Sequence, residues 1–135
     1  MSLDVTLYLD LCSTHPNEQS EYKEFYADAF YDRAKSRWMI NAFSANITHN
    51  LTAMADFIGV YEFLWRPEEA GVIYANQLIY PLERALEKLQ TYPIDQFRKL
   101  EPENKWGTYE GLLRFITEYL EACKKYPEAF VMADR

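Results

Sequence analysis

Hydrophobic and polar residues alternate from the start of the chain: Leu3, Val5, Leu7, Leu9 and Leu11 are separated by Asp4, Thr6, Tyr8 and Asp10. Successive side chains of a strand point to opposite faces, so this period of two predicts a strand with one buried face. The polar stretch Cys12 to Gln19, with His15-Pro16-Asn17 inside it, predicts a loop. Tyr22, Phe25, Tyr26, Ala29 and Phe30 then recur at helical spacing, which predicts a helix of about four turns capped by Asn17 or Ser20. Trp38 to Ser44 predicts a second strand able to pair with the first.

Helical spacing returns with Ile47, Leu51, Met54, Ala55 and Ile58, and Asn46 stands where an N-cap belongs. Gly59 predicts the end of that helix, because a left-handed residue costs least there. Tyr61, Phe63, Leu64 and Trp65 predict an apolar turn, and Pro67 with Glu68 and Glu69 predicts a new helix N-terminus. The longest helical pattern runs from about Tyr74 to Gln90, with Ala75, Leu78, Ile79, Leu82, Leu86 and Leu89 as its stripe. Pro81 predicts a kink or a late start, and Pro93 a stop. A helical turn around Phe97 and a loop, Glu101 to Gly107, lead to a last helix capped by Thr108. Leu112, Leu113, Ile116, Tyr119, Leu120 and Cys123 line its inner face, Pro127 stops it, and Phe130 to Met132 predict a short final strand. No repeat or flexible linker interrupts the pattern. The expected architecture is a single α+β domain over residues 1–135, mostly helical, with about four main helices and a small antiparallel sheet.

Composition narrows the function classes. A length of 135 residues with 49% hydrophobic positions suffices for a core without disulfide or metal staples. The net charge of -7 argues against nucleic-acid binding, which requires positive charge to replace counterions. Lys and Arg are interspersed among the acids, as at Glu83-Arg84 and Glu87-Lys88, so the acidity reads as solvated helix faces rather than mimicry of nucleic acid. No apolar run approaches the roughly 20 residues that span a bilayer, and the first residues lack a secretory pattern, so a cytoplasmic address is expected with no membrane partner.

Chemistry is sparse. Cys12 and Cys123 match no metal spacing and read as reduced thiols. His15 and His49 are the only histidines and form no HxxxH or HExxH pair. There is no GxSxG and no glycine-rich phosphate loop, so no catalytic residue, metal site or cofactor is expected from motifs.

Three segments concentrate polar, charged and aromatic residues. In Asn46-Ile47-Thr48-His49-Asn50, a helix N-terminus would hold an anion with His49 and Asn50 in contact; the plainer reading is a cap followed by a first-turn histidine. In Leu64-Trp65-Arg66-Pro67-Glu68-Glu69, Arg66 suits bidentate grip on a carboxylate or phosphate; the plainer reading is a salt bridge over a core Trp65. In Glu103-Asn104-Lys105-Trp106-Gly107-Thr108-Tyr109-Glu110, the aromatics suit a recognition surface; the plainer reading has Trp106 pinning the loop and Thr108 capping.

Together these three segments resemble a family of small uncharacterised bacterial and phage or prophage proteins, over about Asn46 to the C-terminus. That family's pattern has glycine where Lys105 stands; a turn needing positive φ there would be strained by lysine, so the family's loop geometry is not carried over to this chain. The resemblance does not extend to Cys12–Phe43 and implies no established activity; a phage-type origin implies an accessory role. The combined expectation is a non-enzymatic binding protein for a small anionic ligand, with His49, Asn50, Arg66, Asn104, Trp106 and Tyr109 as its site. A module that binds a host protein through the same aromatics is the rival, and a small His49-dependent enzyme comes third.

Overall fold

The computed structural model describes residues 2–10, 29–34 and 37–135. The architecture is α+β. A four-stranded antiparallel sheet has the order β2-β3-β1-β4, built from β1 (Ser2–Asp10), β2 (Ala29–Asp32), β3 (Arg37–Thr48) and β4 (Phe130–Asp134). Among the described residues five α-helices accompany it: α1 (Thr52–Phe57), α2 (Tyr61–Trp65), α3 (Asn76–Thr91), α4 (Ile94–Arg98) and α5 (Tyr109–Lys125).

The alternation in β1 behaves as expected, with Leu3, Val5, Leu7 and Leu9 buried and the residues between them facing outward. Their partners in β3 are Ile47, Ala45, Phe43 and Ile40. A bulge between Leu7 and Tyr8 leaves Ala42 unmatched and keeps Leu9 and Ile40 together on the inner face. On that face Phe43 stacks on Tyr119 of α5 at 5.9 Å. Helix α5 also packs on α3, whose buried residues are Leu78, Leu82, Ala85 and Leu89. One continuous core links sheet and helices.

Several boundaries differ from the sequence expectation. The loop over Cys12–Gln19 and the aromatic helix up to residue 28 lie outside the described residues. Ala29 and Phe30, assigned to that helix, belong to β2 and pair with Ile40 and Met39. Asn46 is not a cap. Strand β3 continues through it to Thr48, because Leu3 and Val5 need inward-facing partners and Ile47 and Ala45 provide them. The cap is Thr48, whose Oγ1 accepts from the Asn50 N–H at 3.2 Å and opens a 3-10 turn, His49–Leu51. Tyr61–Trp65, expected as an apolar turn, forms the short helix α2. Glu68 and Glu69 start no helix; Pro67 O accepts from Ala70 N and Val72 N, closing a turn instead. Helix α3 begins at Asn76, since Tyr74 is held by a bridge to Phe130, and it continues through Pro81 to Thr91.

Other expectations hold. Gly59 ends α1 at a φ of 74°, Thr108 Oγ1 caps α5 by accepting from Gly111 N at 3.0 Å, and a final strand forms at Phe130–Asp134.

Candidate functional site

Where β3 gives way to the 3-10 turn, the chain turns away from the sheet and presents Thr48, His49 and Asn50. Helix α2 brings Tyr61 and Trp65 alongside. The Trp65 indole is 2% exposed, stacks on Tyr61 at 5.4 Å, and donates from Nε1 to His49 Nδ1 at 2.9 Å. The second motif segment is thereby joined to the first. Gly107 completes the junction: a Cβ there would lie 3.0 Å from Leu51 Cγ and 3.1 Å from Thr48 Cγ2, so only glycine lets the loop approach this closely.

Trp106, next to that contact, is 71% exposed. It does not pin the loop to the core. Its backbone N–H donates to Asn104 Oδ1 at 2.9 Å, which orders the turn, and Lys105 between them has a φ of 63°.

Two arginines border the same space. Arg66 pairs with Glu69 at 2.7 Å, and that carboxylate, then the Tyr61 hydroxyl, hold its charge more firmly than usual. Arg135 donates to Trp65 O at 3.0 Å and to Glu68 Oε1 at 2.7 Å. Its own backbone N–H, then Arg135, hold the Glu68 carboxyl below the usual range. Both ion pairs are exposed, and such pairs contribute only about 0–1 kcal/mol, so a ligand anion can compete with Glu68 or Glu69 for a guanidinium.

These residues enclose an open groove of about 980 Å3, lined among others by Asn46, His49, Asn50, Arg66, Trp106 and Arg135. Of the site expected from sequence, His49, Asn50, Arg66 and Trp106 meet here. Asn104 and Tyr109 do not line it. Asn104 acts through the turn that carries Trp106. Tyr109 points toward α3 and α4: its hydroxyl donates to Leu89 O at 2.5 Å, its ring lies 5.1 Å from Phe97, and Arg98 sits over its face. The groove also includes residues the sequence reading missed. Thr48 stood inside a recognised motif and Tyr61 one helical turn before Trp65, whereas Ser2 and Arg135 carry no local signal.

The helix N-terminus expected to hold an anion is replaced by a three-residue 3-10 turn, too short for a useful macrodipole. Among the described residues one fully buried side-chain nitrogen or oxygen has no hydrogen-bond partner, His49 Nε2. A buried donor left unpaired costs about 1–3 kcal/mol, so such a group calls for an explanation. Elsewhere, burial pushes the Cys123 thiol up to about 12, as befits an inert core residue. Among the described residues no three His, Cys, Asp or Glu side chains are grouped to hold a metal ion, and no helix is long and apolar enough to cross a membrane.

Fold and groove together define an α+β protein with a mixed aromatic and cationic cleft beside its sheet. No protein-family model, curated protein or solved structure matches the chain.

Proposed function

We propose that this protein is a non-enzymatic binding protein whose groove takes a small anionic ligand bearing a flat ring. The observation that carries this reading is Trp106, a large aromatic left in solvent within reach of the groove that also holds Arg66 and Arg135. Burying one face of an indole against a ring is favourable, and a guanidinium matches a carboxylate or phosphate in two-point geometry. The two arginines are engaged only by exposed carboxylates, which an incoming anion displaces at little cost. With the resemblance to phage and prophage proteins, an accessory role in the cytoplasm of a bacterial host fits this chemistry.

The enzyme reading loses support from the geometry of His49. Its Nδ1 is engaged by an indole, not by a carboxylate that would stabilise an imidazolium, so the ring lacks the orienting acid of a general base. A protein-interaction role has one observation of its own. The outer face of the sheet carries Phe30, Met132 and the neighbouring Ile73 partly exposed around an apolar hollow of about 390 Å3.

A thermal-shift panel of nucleoside monophosphates, sugar phosphates and aromatic carboxylates tests the ligand reading. A ligand at about a hundred times its Kd adds roughly 2.7 kcal/mol, which raises Tm by several degrees. The rise should disappear in Trp106→Ala and Arg66→Ala while the unliganded Tm stays nearly constant, since neither exposed side chain supports the core. A blank panel with intact protein would overturn the proposal and favour the protein-interaction reading.

A further inference from the structure

The outer face of the sheet is apolar at one end. Tyr8 and Phe30 meet edge to face at 5.8 Å, and Phe130 lies opposite Tyr8 on β4. With the buried Met39 and Val72 they line a hollow of about 390 Å3, bordered by Ile73 and Met132, which are 56% and 58% exposed. Ile73 is held in that position. Gln77 Oε1 accepts from Ile73 N at 2.7 Å and from Tyr74 N at 2.8 Å, while Gln77 Nε2 donates to Gly71 O at 3.1 Å. The Ile73 carbonyl accepts from Val131 N at 2.9 Å. A large apolar side chain braced at both of its backbone groups, yet left in solvent, is a preorganised contact that loses little entropy on docking. Ile73 and Tyr74 also occupy the edge of β4 beside the hollow, so a partner meets the face with side chains rather than by adding a strand there.

Charge indicates which side chains. Among the described residues, the strands of this face carry Asp4, Asp10, Asp32 and Asp134 against one cation, Arg37, which pairs with Asp10 at 2.6 Å. Asp32 lines the hollow, and Asp4 stands directly opposite Asp134 on the side beyond Met132. Opposed like charges destabilise a sheet, and a cation placed over them relieves that cost. A second copy of this chain, at a net charge of -7 and with the same acidic face, is repelled. Asp4 lies about 13 Å along the strand from Tyr8, a span of roughly nine helical residues. We infer that the hollow docks an amphipathic helix of another protein, its large apolar side chains inserted between Ile73 and Met132 and its Lys or Arg flanks over the aspartates. No residue of the hollow lines the groove, so this docking is independent of any ligand bound there.

The test uses the intact chain and synthetic helical peptides, read by methyl NMR at Met132 and Ile73. The first peptide carries Leu at i and i+4 with Lys on both flanks. A second has Glu for every Lys, and a third has Ala for both Leu. The first should shift the Met132 and Ile73 signals, and the other two should bind roughly tenfold more weakly or worse. Met132→Lys should weaken the first peptide by about the same factor, and Asp134→Lys should weaken it while improving the Glu version. Met132 and Asp134 are both exposed, so the Tm of either variant alone should stay within about two degrees of the parent.

Equal binding of the Lys and Glu peptides overturns the proposal. Equal binding of the Ala peptide does so as well, since it reduces the effect to general attraction between a basic peptide and an acidic protein. Met132 and Ile73 signals that move with protein concentration alone would make a second copy the occupant and also overturn it, as would a blank with all three peptides.

Discussion

Lys105 shows how much one backbone angle can settle. It is the only non-glycine at positive φ among the described residues, in a turn whose purpose is to carry Trp106. A side chain in that conformation costs about 1–2 kcal/mol. Lys105→Gly should therefore stabilise the protein by up to about 1 kcal/mol after the flexibility of glycine is subtracted, measurable as a higher midpoint in urea. Gly107→Ala should do the opposite. Its methyl meets Leu51 and Thr48 at about 3 Å on a backbone at φ 126°, and a loss of about 1–3 kcal/mol is expected. The sequence reading placed both residues in a noted segment but assigned neither backbone angle. The Trp65–His49 hydrogen bond was not legible, because nothing in either segment says which indole N–H a histidine will face.

Among the elements, long periodic segments read true and junctions did not. In α5 the spacing of Leu112, Ile116, Tyr119, Leu120 and Cys123 matches the face that is buried. At Asn46–Leu51 the same kind of spacing misled: Ile47 and Leu51 fit a helical stripe, yet Ile47 also alternates with Ala45 and Phe43, and the neighbouring strand decides. The short helices α1 and α2 are held by packing rather than by propensity, so no pattern announces their ends. Burial inside α5 carries a pH consequence. The Cys123 thiol is raised from about 9 to about 12, so the unfolded chain releases this proton first. The unfolded state then binds fewer protons than the native one, and stability falls as pH rises through that window. Tyr119, also raised by burial, acts in the same direction at still higher pH. In urea titrations, Cys123→Ala should lower stability near neutral pH through the lost packing but flatten its decline above about pH 9.

On the scale of the whole molecule, the expected α+β class and the pairing of the first strand with the second emerge from alternation in β1 and the apolar run after Arg37. The order of the sheet does not. Placing β1 between β3 and β4 requires contacts between the two ends of the chain, which no local window samples. The groove inherits the same non-locality, since Ser2 on β1 and Arg135, directly after β4, both line it.

That adjacency also decides how the protein yields under tension. Asp4 lies opposite Asp134, while Tyr8 lies opposite Phe130, so handles attached at Ser2 and Arg135 pull on the same end of an antiparallel pair. The ladder bonds lie across the strands, and this load peels them one at a time. Handles at Asp10 and Arg135 instead drag the strands lengthwise and strain all of their bonds together. Single-molecule pulling should therefore find a markedly lower rupture force for the first geometry than for the second, although the equilibrium stability is the same, because forced unfolding follows the barrier along the direction pulled.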